Sequence, residues 1–373
     1  MSLRADPALV DEVKQFGATD VQACFNCGNC TAVCPLSKDD TVFPRKIIRQ
    51  LQLGLTERLR GAVEPWLCYY CGECSQTCPR EANPGETMMA VRRWLISQYD
   101  WTGISKKLYL SKAWEIGLTL AVGLFVVALF VLFHGPMLTD HVSINTFAPV
   151  EWVERGDLLM AATLFLFLST NALRMRRFIM GDVDAGLSDY LSELRTFVVH
   201  GVTQRQWRQC NDDRHIPWFK HFLLFTGYMT MLLLIVVFLR WFQTDTWNWT
   251  ALLGYYASAA LLYATTDAMI GRWRKTEEYH KFSHPTDWMF LILLFLTAFT
   301  GILLHLFHMA GWPMPTYVIY VIHLAIAVPM LVLEVPFGKW AHLMYRPLAM
   351  YLIAVRRRAL AAAAEAEELR TAS

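Results

Sequence analysis

The sequence predicts an all-α protein in two parts, a small polar N-terminal module followed by a bundle of six membrane-spanning helices. Two observations support this prediction. Eight of the nine cysteines lie in two short runs between residues 24 and 78, and long apolar stretches follow one another from about residue 113 onward. We expect the module over residues 1–105, the membrane domain over residues 106–350 and a helical C-terminal tail over residues 351–373.

The two cysteine runs have the same spacing. The first consists of Cys24, Cys27, Cys30 and Cys34 followed by Pro35, and the second of Cys68, Cys71, Cys74 and Cys78 followed by Pro79. This C-x2-C-x2-C-x3-C-P spacing is that of bacterial ferredoxins, whose thiolates hold two [4Fe–4S] clusters. Gly28 and Gly72 occupy matching positions, where a residue without a side chain lets backbone N–H groups turn towards cluster sulfurs. The paired runs predict an electron carrier.

Disulfides and zinc are the alternative explanations of these cysteines. The first sixteen residues are polar and charged, so we expect no export signal and a reducing compartment, where thiols persist. Structural zinc usually takes two close pairs of ligands rather than four cysteines within eleven residues. Cys210 stands apart from both runs, and we expect it to be a free structural thiol.

The segments around the runs have helical periodicity. Apolar residues recur at Ile47, Ile48, Leu51 and Leu55 behind Pro44, and residues 85–98 form a second predicted helix. The module therefore resembles the α-helical ferredoxin type. In two-cluster ferredoxins the fourth cysteine of each run ligates the other cluster. The resemblance implies one cluster on Cys24, Cys27, Cys30 and Cys78, and another on Cys68, Cys71, Cys74 and Cys34.

Six apolar stretches are long enough to cross about 30 Å of hydrocarbon. They cover residues 113–134, 157–174, 218–240, 250–270, 287–309 and 315–338. The connections at residues 174–214 and 271–281 and the C-terminal tail are rich in Arg and Lys, whereas the connections on the other side hold few basic residues. The positive-inside rule therefore predicts a multi-pass protein of the cytoplasmic (inner) membrane, with both termini and the iron–sulfur module in the cytoplasm.

Several of the eleven histidines lie in or near the ends of spans. Paired imidazoles at membrane depth are what haem b needs as axial ligands. We pair His221 with His342 for a haem on the cytoplasmic side. His323 and His342 would lie about 28 Å apart on a continuous helix at ~1.5 Å per residue, which leaves room for a second haem near the outer side. Its ligands would be His323 with His305, His308 or His134, while His280 and His284 are expected to be solvated.

The motifs resemble those of known redox proteins. The double run with its CGNC and CGEC segments resembles the C subunit of heterodisulfide reductases. The spans from about residue 157 onward resemble the cytochrome b membrane subunit of those enzymes and the γ subunit of respiratory nitrate reductase. This second resemblance rests on two segments. One runs from His323 to His342 and includes Pro336 and Phe337, and the other runs from His215 to Phe225. The fusion of both parts is similar to the membrane-bound C subunit of quinone-modifying oxidoreductase (Qmo) complexes.

That resemblance implies an electron-transfer subunit of a membrane-bound quinone oxidoreductase. Electrons would pass between menaquinone and two soluble flavin/iron–sulfur subunits, and on to or from adenylylsulfate reductase, through haem b and two [4Fe–4S] clusters. We expect membrane lipid as surroundings and no nucleic-acid partner. The alternatives are a heterodisulfide-reductase-like or sulfite-reductase-associated membrane subunit and, in another class, a haem-free anchor that docks partners.

The sequence departs from the γ-subunit pattern in two ways. Met231 stands ten residues after His221, where that subunit has a second histidine. A spacing of 19 residues also rotates His323 and His342 by about 100° on an unbroken helix, unless Pro329 and Pro336 introduce a kink or bulge. For quinone or proton chemistry the candidates on the inner side are Glu334, Lys339 and Asp267. An ion pair is the alternative role of Glu334, with Lys339 or an arginine as partner.

Overall fold

A computed structural model describes residues 4–37, 42–204 and 215–372, and Cys210 lies outside these ranges. The described residues form helices and turns, without a strand among them. The all-α prediction is confirmed. The chain divides into two compact units. The first comprises Met1–Lys106, Leu168–Trp218 and Ala341–Ser373, and the second comprises Lys107–Phe167 and Phe219–Trp340.

The helices follow one another with short connections. The first are α1 Leu9–Lys14, α2 Asn29–Ala32, α3 Arg45–Gln52, α4 Thr56–Arg60, α5 Glu64–Leu67, α6 Glu73–Gln76 and α7 Pro84–Tyr99. Next come α8 Ile104–Leu110, α9 Lys112–Phe133, α10 Ile144–Phe147, α11 Val150–Met180, α12 Leu187–Ser192, α13 Leu194–Thr203 and α14 His215–Val236. The last are α15 Leu239–Phe242, α16 Thr250–Arg274, α17 Glu278–Lys281, α18 Pro285–Met309, α19 Pro313–Pro329, α20 Val335–Phe337 and α21 His342–Ala372.

The first unit is organised around α7. This helix begins after Asn83 with Pro84 in its first turn, where proline costs no hydrogen bond. Its Arg93 donates to Glu86 (2.8 Å) and to the carbonyl oxygen of Phe16 (2.7 Å), which ties the chain after α1 to α7. The helices predicted between and after the cysteine runs are confirmed as α3 and α7.

An aromatic cluster joins α5, α7 and α21 within this unit. Trp66, Tyr99 and Tyr345 are fully buried, and the ring of Tyr345 lies 5.3 Å from that of Trp66 and 5.4 Å from that of Tyr99. Burial of a large apolar side chain contributes about 1.5–3 kcal/mol to the free energy of folding. The start of α21 is therefore held against the helix that leads into Cys68.

The second unit is a bundle in which α19 packs against α9 and α18, and α18 also packs against α16. Helix α9 turns most of its large apolar side chains outward; Leu124, Leu132 and Phe133 are 66–76% exposed. Gly123 faces α19 so closely that a Cβ there would lie 2.7 Å from the carbonyl oxygen of Ala325. Small residues at helix contacts and apolar residues on the outside are typical of membrane proteins.

Among the described residues, five helical segments are long and apolar enough to cross a membrane: Lys112–Phe133, Val150–Met180, His215–Val236, Pro285–Met309 and Pro313–Phe337. Helix α16, the predicted fourth span, is 25 residues long but is not among them. Its buried face carries Ala257, Ser258, Ala260 and other small residues. A Cβ at Gly227 of α14 would lie 2.9 Å from the Cβ of Ala260. Close packing of helices favours these small residues and lowers the hydropathy of α16.

The chain between His323 and His342 is not one continuous helix. Helix α19 is followed by a π-helical segment, Met330–Glu334, then α20, an extended Gly338 and a 3₁₀ turn at Lys339–Ala341 before α21 begins at His342. Proline removes a backbone donor at Pro329 and Pro336, which explains the irregular hydrogen bonding. The spacing of about 28 Å and the rotation of about 100°, both derived for an unbroken helix, therefore do not apply.

Candidate functional site

The two cysteine runs adopt the same local backbone conformation. Gly28 (φ +92°) precedes α2 and Gly72 (φ +89°) precedes α6, and both lie in the left-handed region that favours glycine. Each glycine turns the chain between the second and third cysteine of its run into a short helix that carries the third. Both glycines thus have a conformation that residues with a Cβ rarely adopt, while their role in turning N–H groups towards cluster sulfurs stays a prediction.

Backbone donors reach the first sulfur of each run. The N–H of Asn26 donates to Sγ of Cys24 at 3.4 Å, and the N–H of Tyr70 donates to Sγ of Cys68 at 3.4 Å. Asn26 (φ +62°) and Tyr70 (φ +56°) are also in the left-handed region, which costs energy for residues with a Cβ. Donors aimed at sulfur stabilise thiolates that bind iron. The residues present therefore fit an iron–sulfur cluster at each run.

The thiols of the two runs lie near one another in a crossed arrangement. Burial raises the pKa of Cys30, and the charges of Cys24, Cys27 and Cys78 raise it further. Burial likewise raises the pKa of Cys34 to about 11, with contributions from Cys68 and Cys71. Helices α2 and α6, which carry Cys30 and Cys74, pack against each other. The last cysteine of each run thus lies beside the other run, as the ferredoxin resemblance implies.

Among the described residues, no three His, Cys, Asp or Glu side chains lie close enough together to hold a single metal ion. A four-iron cluster is larger than an ion and needs its thiolates further apart. Cys27 is exposed, whereas Cys30 and Cys68 are buried.

Two arginines bind the backbone beside Cys68. Arg92, on α7, donates to the carbonyl oxygen of Cys68. Arg346, on α21, donates to the same oxygen (2.8 Å) and to that of Trp66 (2.9 Å). Burial and the neighbouring charge of Arg346 lower the pKa of Arg92 to about 9, which is still above neutral pH. These two cations favour negative charge at the Cys68 run.

His323, a predicted ligand of the outer haem, has its ring held through Nδ1. Its Nδ1 lies 2.9 Å from Oγ1 of Thr300, and that hydroxyl donates its own hydrogen to Leu296 (2.7 Å). The hydroxyl therefore accepts from Nδ1–H, which leaves Nε2 unprotonated. A Cβ at Gly301 would lie 3.2 Å from Cε1 of His323, so the glycine gives the ring room.

The other predicted outer histidines have their ring nitrogens engaged differently. Nε2 of His305 lies 2.6 Å from the hydroxyl of Tyr255, and Nε2 of His308 lies 3.1 Å from the carbonyl oxygen of Asp245. Nδ1 of His134 lies 2.7 Å from the carbonyl oxygen of Gly135. Each of these contacts would have to break before that nitrogen could bind iron.

A cavity of about 210 Å³ opens between helices of the second unit. Its lining is mainly apolar and includes His323, His305, His308, Met231 and Asp157. Pockets for drug-sized ligands usually measure ~300–1,000 Å³. A haem could bind here only if lining side chains moved aside. Sequence reasoning did not single out Asp157, although a carboxyl inside a span is unusual enough to be noticed.

His221 and His342, the predicted cytoplasmic haem ligands, belong to different units. His221 lies on α14 in the second unit, and His342 is the first residue of α21 in the first. Their pairing stays a prediction. His280 differs from expectation: it is 9% exposed and its Nδ1 lies 3.1 Å from Oγ1 of Thr276, so it is buried rather than solvated. His284 is half-buried and caps α18.

The ion pair of Glu334 with Lys339 or an arginine, predicted as the alternative role of this acid, does not form among the described residues. Nζ of Lys339 lies 2.6 Å from Oδ1 of Asp287 instead, while Glu334 is buried and its Oε2 has no hydrogen-bond partner among the described residues. The other candidate, Asp267, pairs with Lys220 at 2.7 Å. Glu115, at the start of α9, is also buried near Glu334, and sequence reasoning missed it.

Comparisons with known proteins agree with the geometry of the cysteine runs. Residues 20–82 match the family model described as a 4Fe-4S dicluster domain. A protein from Archaeoglobus profundus, described as similar to the C subunit of heterodisulfide reductase, is 36% identical over 88 residues, which is 23% of this chain and 47% of that protein. The chain thus spans about half the length of the relative it matches. No solved structure matches it.

The residues that match the family model include all eight cysteines of the two runs, and the apolar helices lie outside the match. The chain therefore combines an iron–sulfur electron-transfer domain, similar to a protein of the heterodisulfide reductase C-subunit type, with helices able to cross a membrane several times.

Proposed function

We propose that this chain is a membrane electron-transfer subunit that exchanges electrons between menaquinone and soluble flavin/iron–sulfur partners. Two [4Fe–4S] clusters and haem b would carry the electrons. Helix α16 would be the sixth span, which gives a bundle of cytochrome b type in the cytoplasmic membrane with both termini inside. The whole would correspond to the membrane-bound C subunit of quinone-modifying oxidoreductase complexes, with adenylylsulfate reductase as the further partner.

One observation carries this proposal. Helix α21 begins at His342, a proposed haem ligand, and four residues later presents Arg346, which binds the carbonyl oxygen of Cys68. Residues four apart on a helix are neighbours on one face, about 5–6 Å apart between Cβ atoms. A haem held by His342 would therefore lie close to the cluster held by Cys68, Cys71, Cys74 and Cys34. Haem would supply a one-electron carrier between that cluster and the membrane.

The other run suits contact with a soluble partner. Cys27 and Phe25 are exposed, and three exposed arginines surround them, Arg45, Arg49 and Arg80. Arg80 lies over the ring of Phe25 at 5.9 Å. This basic surface favours an acidic docking face, so we place the cluster of Cys24, Cys27, Cys30 and Cys78 nearest the partner subunits.

A second haem would use Nε2 of His323. Met231 lines the same cavity, and its thioether sulfur, a weak acceptor, gives up no strong hydrogen bond on binding iron, in contrast to His305 and His308. We therefore favour Met231 as its partner and regard the cytoplasmic haem of His221 and His342 as the first to test.

The heterodisulfide-reductase-like subunit is the second candidate, because the matched relative is described in those terms. It differs from the first in its soluble partner, whereas a haem-free anchor differs in its cofactors. A sulfite-reductase-associated subunit would show the same cofactors as the leading proposal.

Reduced-minus-oxidised absorption spectra of the purified full chain test the proposal. We expect bands of low-spin haem b in addition to iron–sulfur absorption, and loss of one haem in His342→Ala and in His221→Ala. His215→Ala is the matched control, because His215 is exposed and begins the same helix as His221. A preparation that carries both iron–sulfur clusters but no haem would support the haem-free anchor instead. Unchanged haem content in His342→Ala would refute the pairing of His221 with His342.

A further inference from the structure

Five charged residues from separate segments of the second unit meet at one end of its helices. They are Glu115 at the start of α9, Arg272 at the end of α16, Asp287 at the start of α18, Glu334 at the end of the π-helical segment, and Lys339. Three are acids and two are bases. How the charges pair decides what this cluster can do.

Both bases are directed to Asp287. Lys339 lies 2.6 Å from Oδ1 of Asp287 and Arg272 lies 3.6 Å from Oδ2. The backbone N–H of His284 also donates to Oδ2, at 3.3 Å. Asp287 is therefore stabilised as a carboxylate, with two positive charges beside its single negative charge.

Glu115 and Glu334 form no such ion pair. Each is 2% exposed, and among the described residues neither has an ion-pair partner within 4.0 Å. Oε1 of Glu115 and Oε2 of Glu334 have no hydrogen-bond partner there. The carboxyl of Glu334 accepts the backbone N–H of Lys339, and Glu115, Asp287 and Lys339 are the charged groups near it.

The burial of Glu115 is specific. Its neighbours Trp114 and Ile116 are 49% and 47% exposed, because most of α9 faces outward. Glu115 lies instead on the packed side with Gly123 and Val126, the side turned to α19. Burying an acid on the packed face of a membrane helix costs free energy, and acids found there usually have a function.

The backbone also makes room for Glu334. It ends the π-helical segment, a distortion often found at functional sites, and a Cβ at Gly338 would overlap its carboxyl. The other end of that segment, Met330 and Leu331, lines the cavity that contains His323. The carboxyl pair is thus built into the same element that borders the proposed cofactor site.

We infer that the buried carboxyls of Glu115 and Glu334 form a proton-binding site that together holds one proton when the protein is oxidised. Two buried carboxylates near each other in a low dielectric repel, and one proton removes that repulsion. It also gives the unpartnered oxygens a donor. Lys112, on the helix of Glu115, and Asp287 with its two bases are the other charged groups that face the pair.

The functional consequence rests on the proposed electron-transfer role. An electron that reaches a carrier in the bundle adds a negative charge in a low dielectric, and a second proton taken from water by the pair would compensate it. Both carboxyls are then neutral; oxidation returns one proton to water. No reactant other than the electron and the proton is needed.

Infrared spectra of the purified oxidised chain in detergent test the proton-binding site without any cofactor reaction. We expect the C=O band of a protonated carboxyl at neutral pH, and its loss in both Glu115→Gln and Glu334→Gln. Glu151→Gln, which changes an exposed acid in the first turn of α11, should keep the band. A band that persists in both folded pair variants would overturn the inference.

Electrochemical reduction in the same cell tests the coupling. The reduced-minus-oxidised spectrum should gain protonated-carboxyl signal in the unchanged chain and in Glu151→Gln, and not in either pair variant. Reduction of the cofactors without that gain would overturn the redox coupling. A chain with the static band but no haem that can be reduced would instead count against the proposed function, so the two failures are distinguishable.

Discussion

Arg346 donates a hydrogen bond of 2.8 Å to the carbonyl oxygen of Cys68, and its guanidinium lies 4.5 Å from the ring centroid of Tyr69. A fixed positive charge is thereby held beside the second cysteine run. It favours the reduced, more negative state of a cluster bound there.

Arg346→Gln should accordingly lower the midpoint potential of the cluster held by Cys68. The expected shift is about 40 mV, equivalent to ~1 kcal/mol for one electron. Redox titration followed by electron paramagnetic resonance measures it. Arg357→Gln is the control, because Arg357 is exposed on the same helix. Equal shifts in the two variants would show that only the net charge of the protein matters.

The crossed arrangement of the thiols predicts which cysteines act together. Cys34→Ser should alter the same paramagnetic signal as Cys68→Ser, and Cys78→Ser the same signal as Cys24→Ser, because Cys30 lies near Cys78 and Cys34 near Cys68. Low-temperature spectra of the four reduced variants make the comparison. If Cys34→Ser instead behaves like Cys24→Ser, each run holds its own cluster.

Gly123 and Gly117 form a matched pair on α9. A Cβ at Gly123 would lie 2.7 Å from the carbonyl oxygen of Ala325, whereas a Cβ at Gly117 meets nothing within 4 Å. Gly123→Ala should lower the free energy of unfolding by about 1–3 kcal/mol through overpacking. Gly117→Ala should be neutral or stabilise by up to about 1 kcal/mol, because alanine favours helix. Unfolding in detergent measures both, and equal effects would argue against close packing of α9 on α19.

We expect His280 to make the free energy of unfolding depend on pH below neutrality. Burial lowers its pKa in the folded state, and the charge of Arg272 lowers it further. The unfolded chain therefore binds more protons once the pH falls below about 6.5. The contribution of neutral His280 to the free energy of unfolding is fully present above that value, and it is lost as the pH falls towards the pKa of the folded state.

The measurement for His280 is the melting temperature at about pH 7.5 and at about pH 5.5. His280→Gln should lose less stability over this interval than the unchanged chain. His215→Gln, at an exposed histidine, should lose as much as the unchanged chain. A loss in His280→Gln that matches the control would mean that other groups cause the acid sensitivity.

The cysteine spacing predicted the iron–sulfur module correctly because ligand spacing and turn glycines are local. Gly28 and Gly72 could be placed from the sequence, and their backbone conformations agree. The apolar periodicity predicted the long helices for the same reason. Five of the six predicted spans are apolar enough to cross a membrane. The remaining one, α16, is less apolar because small residues lie where it contacts its neighbours.

The sequence by itself determined the helical class, the two cysteine runs and the apolar segments, because each depends on residues close together in the chain. Tertiary structure decided which charges meet. Lys339 pairs with Asp287, 52 positions earlier in the chain, rather than with Glu334, and Glu115 faces inward from a helix that otherwise faces outward. Such pairings follow from how separate helices pack, and the pattern along one helix does not encode them.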